Sequence, residues 1–181
     1  MDEILQTYFI DKDKGDLAYD AERYIVACEH YDAALEALEK LEKFDDVLSA
    51  RGVRVKESVF IVRTNRAACR KHRKMFQEAI EDCNFVIFAG GAAPTRCVVK
   101  AFYRRARAHE GLGDADAAIL DFQRTLQIEP NNEAALKALK KFDCVFHRAC
   151  VLHNASPEVL ARQSKFKNFT SRPKLRHLCG E

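Results

Sequence analysis

The sequence predicts an all-α fold in which helical hairpins repeat along the chain. Of its 181 residues 48% are hydrophobic, and only 7 are glycine and 4 proline, too few for the many turns of an all-β fold. Between about residues 60 and 132, apolar side chains recur with the helical period of 3.6. Within that stretch one pattern appears twice, which is typical of stacked helical repeats.

The repeated pattern is a pair of alanines, one on each helix of a hairpin, and the pair recurs after 39 residues. Two helices of a hairpin approach closely only where both side chains are small. We therefore predict one hairpin over residues 60–91 and another over 99–132. The alanines are Ala67 and Ala79 in the first of these units and Ala106 and Ala118 in the second.

The breaks between units agree with this spacing. The Gly/Pro cluster at 89–94 ends one hairpin, and Pro130 ends the next because proline cannot continue a helix. Upstream, residues 31–39 resemble a second helix of an earlier unit. We expect its first helix from about Leu17 to Cys28, a whole unit over about 14–48, and a connector from Asp45 to Val59.

The three units would occupy residues 1–132, and the remaining residues form two further segments. We predict that residues 133–154 form a closing helix that covers the last hairpin. Residues 155–181 are predicted to form a short helix followed by a basic tail. The closing helix carries two cysteines and two histidines three residues apart. Because three residues rotate a helix by about 300°, the four side chains cannot face one ion, and no metal site is expected. They are Cys144, His147, Cys150 and His153.

The 99–132 unit resembles the tetratricopeptide repeat, in which aromatic and small residues alternate at set places and a proline closes the second helix. The resemblance implies a right-handed superhelical solenoid with a C-terminal capping helix, whose first helices line a concave groove. The matching residues are Phe102, Ala106, Ala118, Phe122 and Pro130.

Candidate binding residues lie on the first helices of two units. Lys100 and Arg104 are four residues apart and so share one helical face. Asn65 stands 39 residues before Arg104, at the equivalent place of the preceding hairpin. An ammonium, a guanidinium and an amide are thus predicted to converge on the groove, where they suit a carboxylate ligand.

Two strings, residues 65–68 (Asn-Arg-Ala-Ala) and 100–106 (Lys-Ala-Phe-Tyr-Arg-Arg-Ala), resemble the clamp-type tetratricopeptide co-chaperones. That class binds the C-terminal tails of the seventy- and ninety-kilodalton heat-shock chaperones. The resemblance implies that Asn65 donates to the peptide's terminal carboxylate and that Lys100 and Arg104 hold carboxylates of the acidic tail.

The class also has a lysine, followed four residues later by an asparagine, in its first repeat. In the expected register these places fall at Tyr19 and Arg23, or at Ala18 and Glu22, and neither pair matches. Arg23 is therefore predicted as a substitute donor, with Lys14 as a second possibility. Tyr103, Arg107 and His72 are the other auxiliary groove residues expected.

Composition and motifs narrow the function to binding. No nucleophile elbow, phosphate loop or catalytic carboxylate pair is present, so we expect no enzyme and no cofactor. No apolar run is long enough for a membrane span, and seven cysteines without a C-x-x-C pair suit a reduced, cytoplasmic protein.

Two alternative functions stay open. One is a tetratricopeptide scaffold for a protein complex without a chaperone. The other is a protein that binds an anionic surface or a nucleic acid through its basic tail, although the sequence contains no nucleic-acid-binding motif. The charge is split along the chain, since residues 1–48 hold 14 acidic and 5 basic side chains while the net charge overall is +3.

Overall fold

The computed structural model describes the backbone of residues 1–152 and the side chains of residues 1–142, and within these bounds it confirms the all-α prediction. Two short 3₁₀ segments, Glu42–Phe44 and Gly90–Ala92, lie between helices. The α-helices are α1 (Asp2–Asp20), α2 (Tyr24–Leu41), α3 (Asp45–Ala50), α4 (Val55–His72), α5 (Phe76–Phe88), α6 (Thr95–Leu112), α7 (Ala115–Ile128) and α8 (Glu133–Leu152).

Residues 1–135 form one compact unit of three helical hairpins. The hairpins are α1 with α2, α4 with α5, and α6 with α7. Helix α2 packs on α4 and helix α5 on α6, so the first hairpin packs against the second and the second against the third. The first helices of the hairpins also contact one another, α1 with α4 and α4 with α6. They form the surface that positions the candidate site.

Small residues lie where the two helices of each hairpin cross. Ala27, Ala79 and Ala118 are fully buried, one in each second helix. Gly15 serves the same purpose in α1, because a Cβ atom there would lie 2.7 Å from a ring carbon of Tyr31. Close packing of this kind leaves no room for a methyl group without moving the ring.

The three hairpin turns share one backbone geometry. Glu22, Lys74 and Gly113 each have a positive φ, of 57°, 62° and 80° respectively. In each turn the next residue's amide donates to a carbonyl five residues back, as Arg23 does to Ala18 at 2.8 Å. This is the hydrogen bond of a Schellman helix ending, in which glycine is the usual left-handed residue. Only the third turn has that glycine.

The expected first unit is wrong in its boundaries. Helix α1 begins at Asp2 and ends at Asp20, and the second helix begins at Tyr24, so the hairpin covers residues 2–41 instead of 14–48. The turn at Glu22 carries neither glycine nor proline, and this is why the sequence pattern gave no break there. The expected connector is also partly helical, since it contains α3 and α4 already begins at Val55.

The last helix begins at Glu133, as predicted, and its backbone is helical to Leu152. The capping role of this helix and the handedness of the solenoid stay predictions. The Cys/His set from Cys144 to His153, the short helix and the basic tail lie outside the residues whose side chains are described. Among residues 1–152, no helix is long and apolar enough to cross a membrane.

Candidate functional site

A cavity of about 710 Å³ lies along the first helices of the hairpins, which we call the groove. Tyr19 of α1, Ala68 of α4 and Val99 of α6 contribute to its wall. Its charged lining is strongly unbalanced, with five cationic side chains and one carboxylate. These are Lys71, Arg96, Lys100, Arg104, Arg107 and Glu129. The groove therefore favours an anionic ligand.

The structure brings together the side chains that the repeat spacing predicted to be neighbours. The Arg104 Nη1 atom donates to Asn65 Oδ1 at 3.3 Å, which joins α6 to α4. Lys100 lies one helical turn before Arg104 and lines the same groove. A smaller cavity of about 310 Å³ adjoins it, and Tyr19, Ala68 and Arg104 line both.

Asp16 of α1 extends this contact to the first hairpin. Its Oδ1 atom accepts a hydrogen bond from Asn65 Nδ2 at 3.1 Å and one from the Tyr31 hydroxyl at 2.5 Å. Its Oδ2 atom accepts from Lys12 Nζ at 2.7 Å. One hydrogen-bonded chain thus runs from Lys12 through Asp16 and Asn65 to Arg104, across α1, α4 and α6.

The protonation of the donors around Asp16 agrees with this arrangement. Burial and the hydrogen bond to Asp16 raise the pKa of Tyr31, so its hydroxyl stays a donor at neutral pH. Burial by itself lowers the pKa of Lys12, but the hydrogen bond and the charge of Asp16 outweigh it and raise the pKa overall. Both groups therefore keep their protons.

Three of the five groove cations, Lys71, Lys100 and Arg104, lack a partner of opposite charge within the described part of the chain. The other two are paired, Arg96 with Glu57 and Arg107 with Glu110. Among residues 1–142, no carboxylate oxygen lies within 4.0 Å of the charged nitrogens of Lys100, Arg104 or Lys71. Burial lowers the pKa of Arg104. Burial, followed by the charges of Arg107 and Arg104, lowers the pKa of Lys71. A bound anion would relieve both effects, because it favours the protonated forms.

The auxiliary residues divide into two groups. Tyr103 and Arg107 line the groove as expected. The exposed ring of His72 instead stacks on Tyr24, with ring centroids 4.2 Å apart, and does not line either cavity. Arg23 is exposed in the α1–α2 turn and lines neither cavity, so the structure does not bring it together with Asn65 and Arg104. Lys14 is also exposed on α1.

Sequence analysis missed Lys12 and Asp16. The lysine and the polar residue four positions later are present in α1, but seven residues before the expected register of Tyr19 and Arg23. The alternative register, Ala18 and Glu22, is wrong for the same reason. The sequence signal that could have identified them is the four-residue spacing of Lys12 and Asp16, which places both side chains on one helical face. The residue in the second place is aspartate, whereas the resemblance implies asparagine.

A separate set of arginines is neutralised inside the hairpins. Asp82 of α5 is 1% exposed and accepts bonds from Arg66 Nε at 2.9 Å and Arg70 Nη1 at 2.7 Å. In the next hairpin Arg105 and Asp121 form the equivalent pair, at 2.7 Å and 2.8 Å. Bidentate pairs of this kind hold the helices in register, and the arginines in them are occupied.

The chemistry available in the groove is anion binding. Within the described residues, no group of histidine, cysteine, aspartate and glutamate side chains could hold a metal ion. The lining offers donors from lysine, arginine, tyrosine and asparagine side chains, which suit carboxylates. A cavity of about 710 Å³ has room for a short peptide segment.

Comparisons with known proteins agree with this fold. Residues 99–132 match the tetratricopeptide repeat family, over the range predicted for the third unit. Among curated proteins, protein unc-45 homolog B of Danio rerio is 34% identical over 86 residues, which are 48% of this chain and 9% of the relative. The chain likewise spans only 28% of the length of a second curated relative, peptidyl-prolyl cis-trans isomerase FKBP4 of Bos taurus. It therefore corresponds to only a part of each of these proteins.

Two solved repeat domains have the same fold. One is the second tetratricopeptide repeat domain of human RPAP3, in complex with the HSP70 peptide SGPTIEEVD. It is 25% identical to this chain, and the alignment covers 76% of this chain and 96% of that domain with a TM-score of 0.58. The other is the first tetratricopeptide repeat domain of Spaghetti (RPAP3), bound to the HSP90 peptide SRMEEVD. It is 25% identical to this chain, and the alignment covers 78% of this chain and 94% of that domain with a TM-score of 0.59.

The fold, the match and these neighbours define the class of protein. Residues 99–132 match a tetratricopeptide repeat, and the three hairpins of residues 1–135 share the fold of these solved tetratricopeptide repeat domains.

Proposed function

We propose that this chain is a protein–protein interaction adaptor of the co-chaperone class. Its groove binds the acidic C-terminal peptide of the seventy- and ninety-kilodalton heat-shock chaperones, with Lys100, Arg104 and Asn65 as the principal contacts. The observation that carries the proposal is that Lys100 and Arg104 face one groove and have no carboxylate partner among the described residues.

Charge complementarity supports this ligand. The HSP90 peptide bound by the Spaghetti domain, SRMEEVD, carries two glutamates, an aspartate and a terminal carboxylate. The groove lining has five cationic side chains and the carboxylate of Glu129, and three of those cations, Lys71, Lys100 and Arg104, have no carboxylate partner among the described residues. Charge-assisted hydrogen bonds contribute about 1.5 to 3 kcal/mol each, so two such bonds are sufficient to decide whether a short peptide binds.

The same proposal includes a non-enzymatic role without a cofactor, in the cytoplasm. The free, buried thiols of Cys28, Cys69, Cys83 and Cys97 suit a reducing compartment. Tyr103 and Arg107 act as auxiliary contacts on the groove wall.

Calorimetric titration of the peptide SRMEEVD tests the proposal. Lys100→Ala is the informative variant because Lys100 is exposed, so its removal leaves the core unchanged. We expect it to weaken binding about tenfold, the equivalent of about 1.4 kcal/mol. Arg124→Ala is the matched control, since Arg124 is an exposed cation of α7 that lies outside both cavities.

The control separates groove contacts from general attraction to a basic surface. Equal losses in Lys100→Ala and Arg124→Ala would indicate general attraction and contradict the proposed site. A chain that does not bind the peptide at all would contradict the proposed function.

A second candidate function, a scaffold for a folded partner, is favoured by the exposed aromatic side chains of α5. Phe85 and Phe88 are 45% and 77% exposed, and Phe85 borders a separate cavity of about 610 Å³. Partner capture that persists in Arg104→Ala but is lost in Phe88→Ser would favour this function. The use of residues 161–181 on anionic surfaces lies outside the described residues and stays a prediction.

A further inference from the structure

Asp16 and the exposed Asp20 place negative charge in the smaller cavity that adjoins the groove at α1, and of these two it is Asp16 that contacts Asn65. The Asp16 side chain lines the 310 Å³ cavity together with Asn65 and Arg104. Three side chains donate to its carboxylate, Lys12, Tyr31 and Asn65, at 2.7, 2.5 and 3.1 Å. The carboxylate is therefore held in place by contacts from α1, α2 and α4.

This contact occupies the donor that a ligand would use. The Asn65 amide nitrogen donates to Asp16, and its amide oxygen accepts from Arg104. A ligand carboxylate bound to the second hydrogen of that nitrogen would have its oxygen within about 5 Å of the Asp16 oxygen. Two like charges so close, in a partly buried place, repel each other.

The α6 end of the groove differs because no carboxylate among the described residues pairs with Lys100, although Arg96 on the same helix is paired with Glu57. Lys100 is exposed, and the described residues supply it with no carboxylate. Glutamate or aspartate side chains of a peptide can bind at this end at a distance from Asp16. A ligand carboxylate is therefore repelled by Asp16 at the α1 end of the groove and can pair with Lys100 at the α6 end.

We propose that Asp16 is a specificity-determining residue, an internal carboxylate that fills the place of the ligand's terminal carboxylate. The groove consequently selects acidic side chains at its α6 end and has little preference for a free C-terminus over an amidated or continuing one. Its ligand class extends to internal acidic segments of a polypeptide. This inference rests on the proposed function, since it concerns the same groove.

The unmodified chain provides the first measurement. Titration with SRMEEVD as the free acid and as the C-terminal amide is expected to give affinities that differ less than threefold. A free-acid preference above tenfold would overturn the inference, whatever happens in any variant. Binding of both peptides that depends on Lys100 would meanwhile leave the proposed function intact.

Asp16→Asn provides the second measurement. Asparagine keeps an oxygen that accepts from Tyr31 and removes the charge that repels the ligand. We expect the free acid to bind about tenfold more tightly than to the unmodified chain, and the amide less than threefold more tightly. Circular dichroism confirms that the variant folds.

Asp46→Asn is the matched control, because Asp46 is an exposed aspartate of α3 outside the groove. It is expected to leave both affinities within twofold. If Asp46→Asn and Asp16→Asn strengthen binding equally, net charge explains the effect and the inference is wrong. If neither the unmodified chain nor Asp16→Asn binds the free acid, both the inference and the proposed function fail.

Discussion

Arg104 and Arg105 are sequence neighbours that belong to two different regions of the molecule. Arg104 lies in the groove, where its one described hydrogen bond is to the neutral Asn65 amide. Arg105 lies between α6 and α7 and forms a bidentate pair with Asp121, which is 3% exposed. Arg105 thus supports the fold and is matched by a carboxylate, whereas Arg104 faces the groove and is not.

The same division occurs one hairpin earlier. Arg66 repeats the place of Arg105 and binds Asp82, just as Asn65 repeats the place of Arg104. Arg66 and Arg105, which point between the two helices of a hairpin, are paired with buried carboxylates, whereas Arg104, which points into the groove, is not paired with a carboxylate among the described residues. The comparison predicts that substitutions in the two regions have opposite effects on stability and binding.

The largest effect is expected when the buried carboxylate shared by several arginines is removed. Asp82→Ala leaves Arg63, Arg66 and Arg70 without this acceptor, and we expect it to lower the free energy of unfolding by about 3 to 5 kcal/mol. Urea denaturation monitored by circular dichroism measures the change.

A partner of the same arginine serves as its control. Asp32 also pairs with Arg66, at 2.6 Å, but its side chain is 50% exposed. Asp32→Ala is expected to cost no more than about 1 kcal/mol. Similar losses in both variants would show that burial does not distinguish the two carboxylates.

The neighbouring arginines give a second, smaller contrast. Arg105→Met leaves Asp121 buried and unpaired, and we expect a loss of about 3 kcal/mol in the free energy of unfolding. Arg104→Met removes no ion pair within the described residues and relieves the burial of a charge, so its stability should stay within about 0.5 kcal/mol of the unmodified chain. Urea denaturation of both variants checks this.

Peptide binding should show the reverse order. Arg104→Met is expected to weaken the SRMEEVD complex about tenfold, whereas Arg105→Met, assayed at a temperature where it is folded, should leave it within twofold. If Arg105→Met weakens binding as much as Arg104→Met, the separation of the two regions is wrong.

The smallest effect concerns the charge of Lys71 and depends on pH. Burial and the charges of Arg107 and Arg104 lower its pKa in the folded protein below the unfolded value of 10.5. The folded state therefore binds this proton less well, and a charged Lys71 destabilises it at neutral pH. Lys71→Met should raise the melting temperature at pH 7, by less and less as the pH approaches 10.5.

Lys40→Met is the control for the loss of one positive charge, because Lys40 is exposed on α2 outside the groove. The change in melting temperature caused by Lys40→Met should not vary with pH in the way expected for Lys71→Met. A gain for Lys71→Met that grows as the pH rises would have the wrong sign and contradict the assignment.

Much of the second and third hairpins could be predicted from the sequence. The 39-residue spacing placed Asn65 beside Arg104 correctly, because equivalent positions of stacked repeats lie next to each other. The same spacing relates Arg66 and Asp82 to Arg105 and Asp121. These charge pairs were available as a signal, but apolar spacing alone does not show that arginines point between helices.

The first hairpin shows why the rest could not be predicted. Its turn places Glu22 in a left-handed conformation that glycine usually adopts, so no glycine or proline marks the turn in the sequence. The expected first helix, from about Leu17 to Cys28, therefore runs across that turn. Asp16 and Lys12 were consequently absent from the predicted site.

The sequence by itself determined the helical hairpins, the spacing of two repeats and the cations that face the groove, since all of these follow from local periodicity and from residue type. Only the tertiary structure decided which carboxylate meets Asn65. That contact joins α1 to α4 across 49 residues, and it depends on how the first hairpin packs against the second. Local propensity contains no information about a partner so distant along the chain.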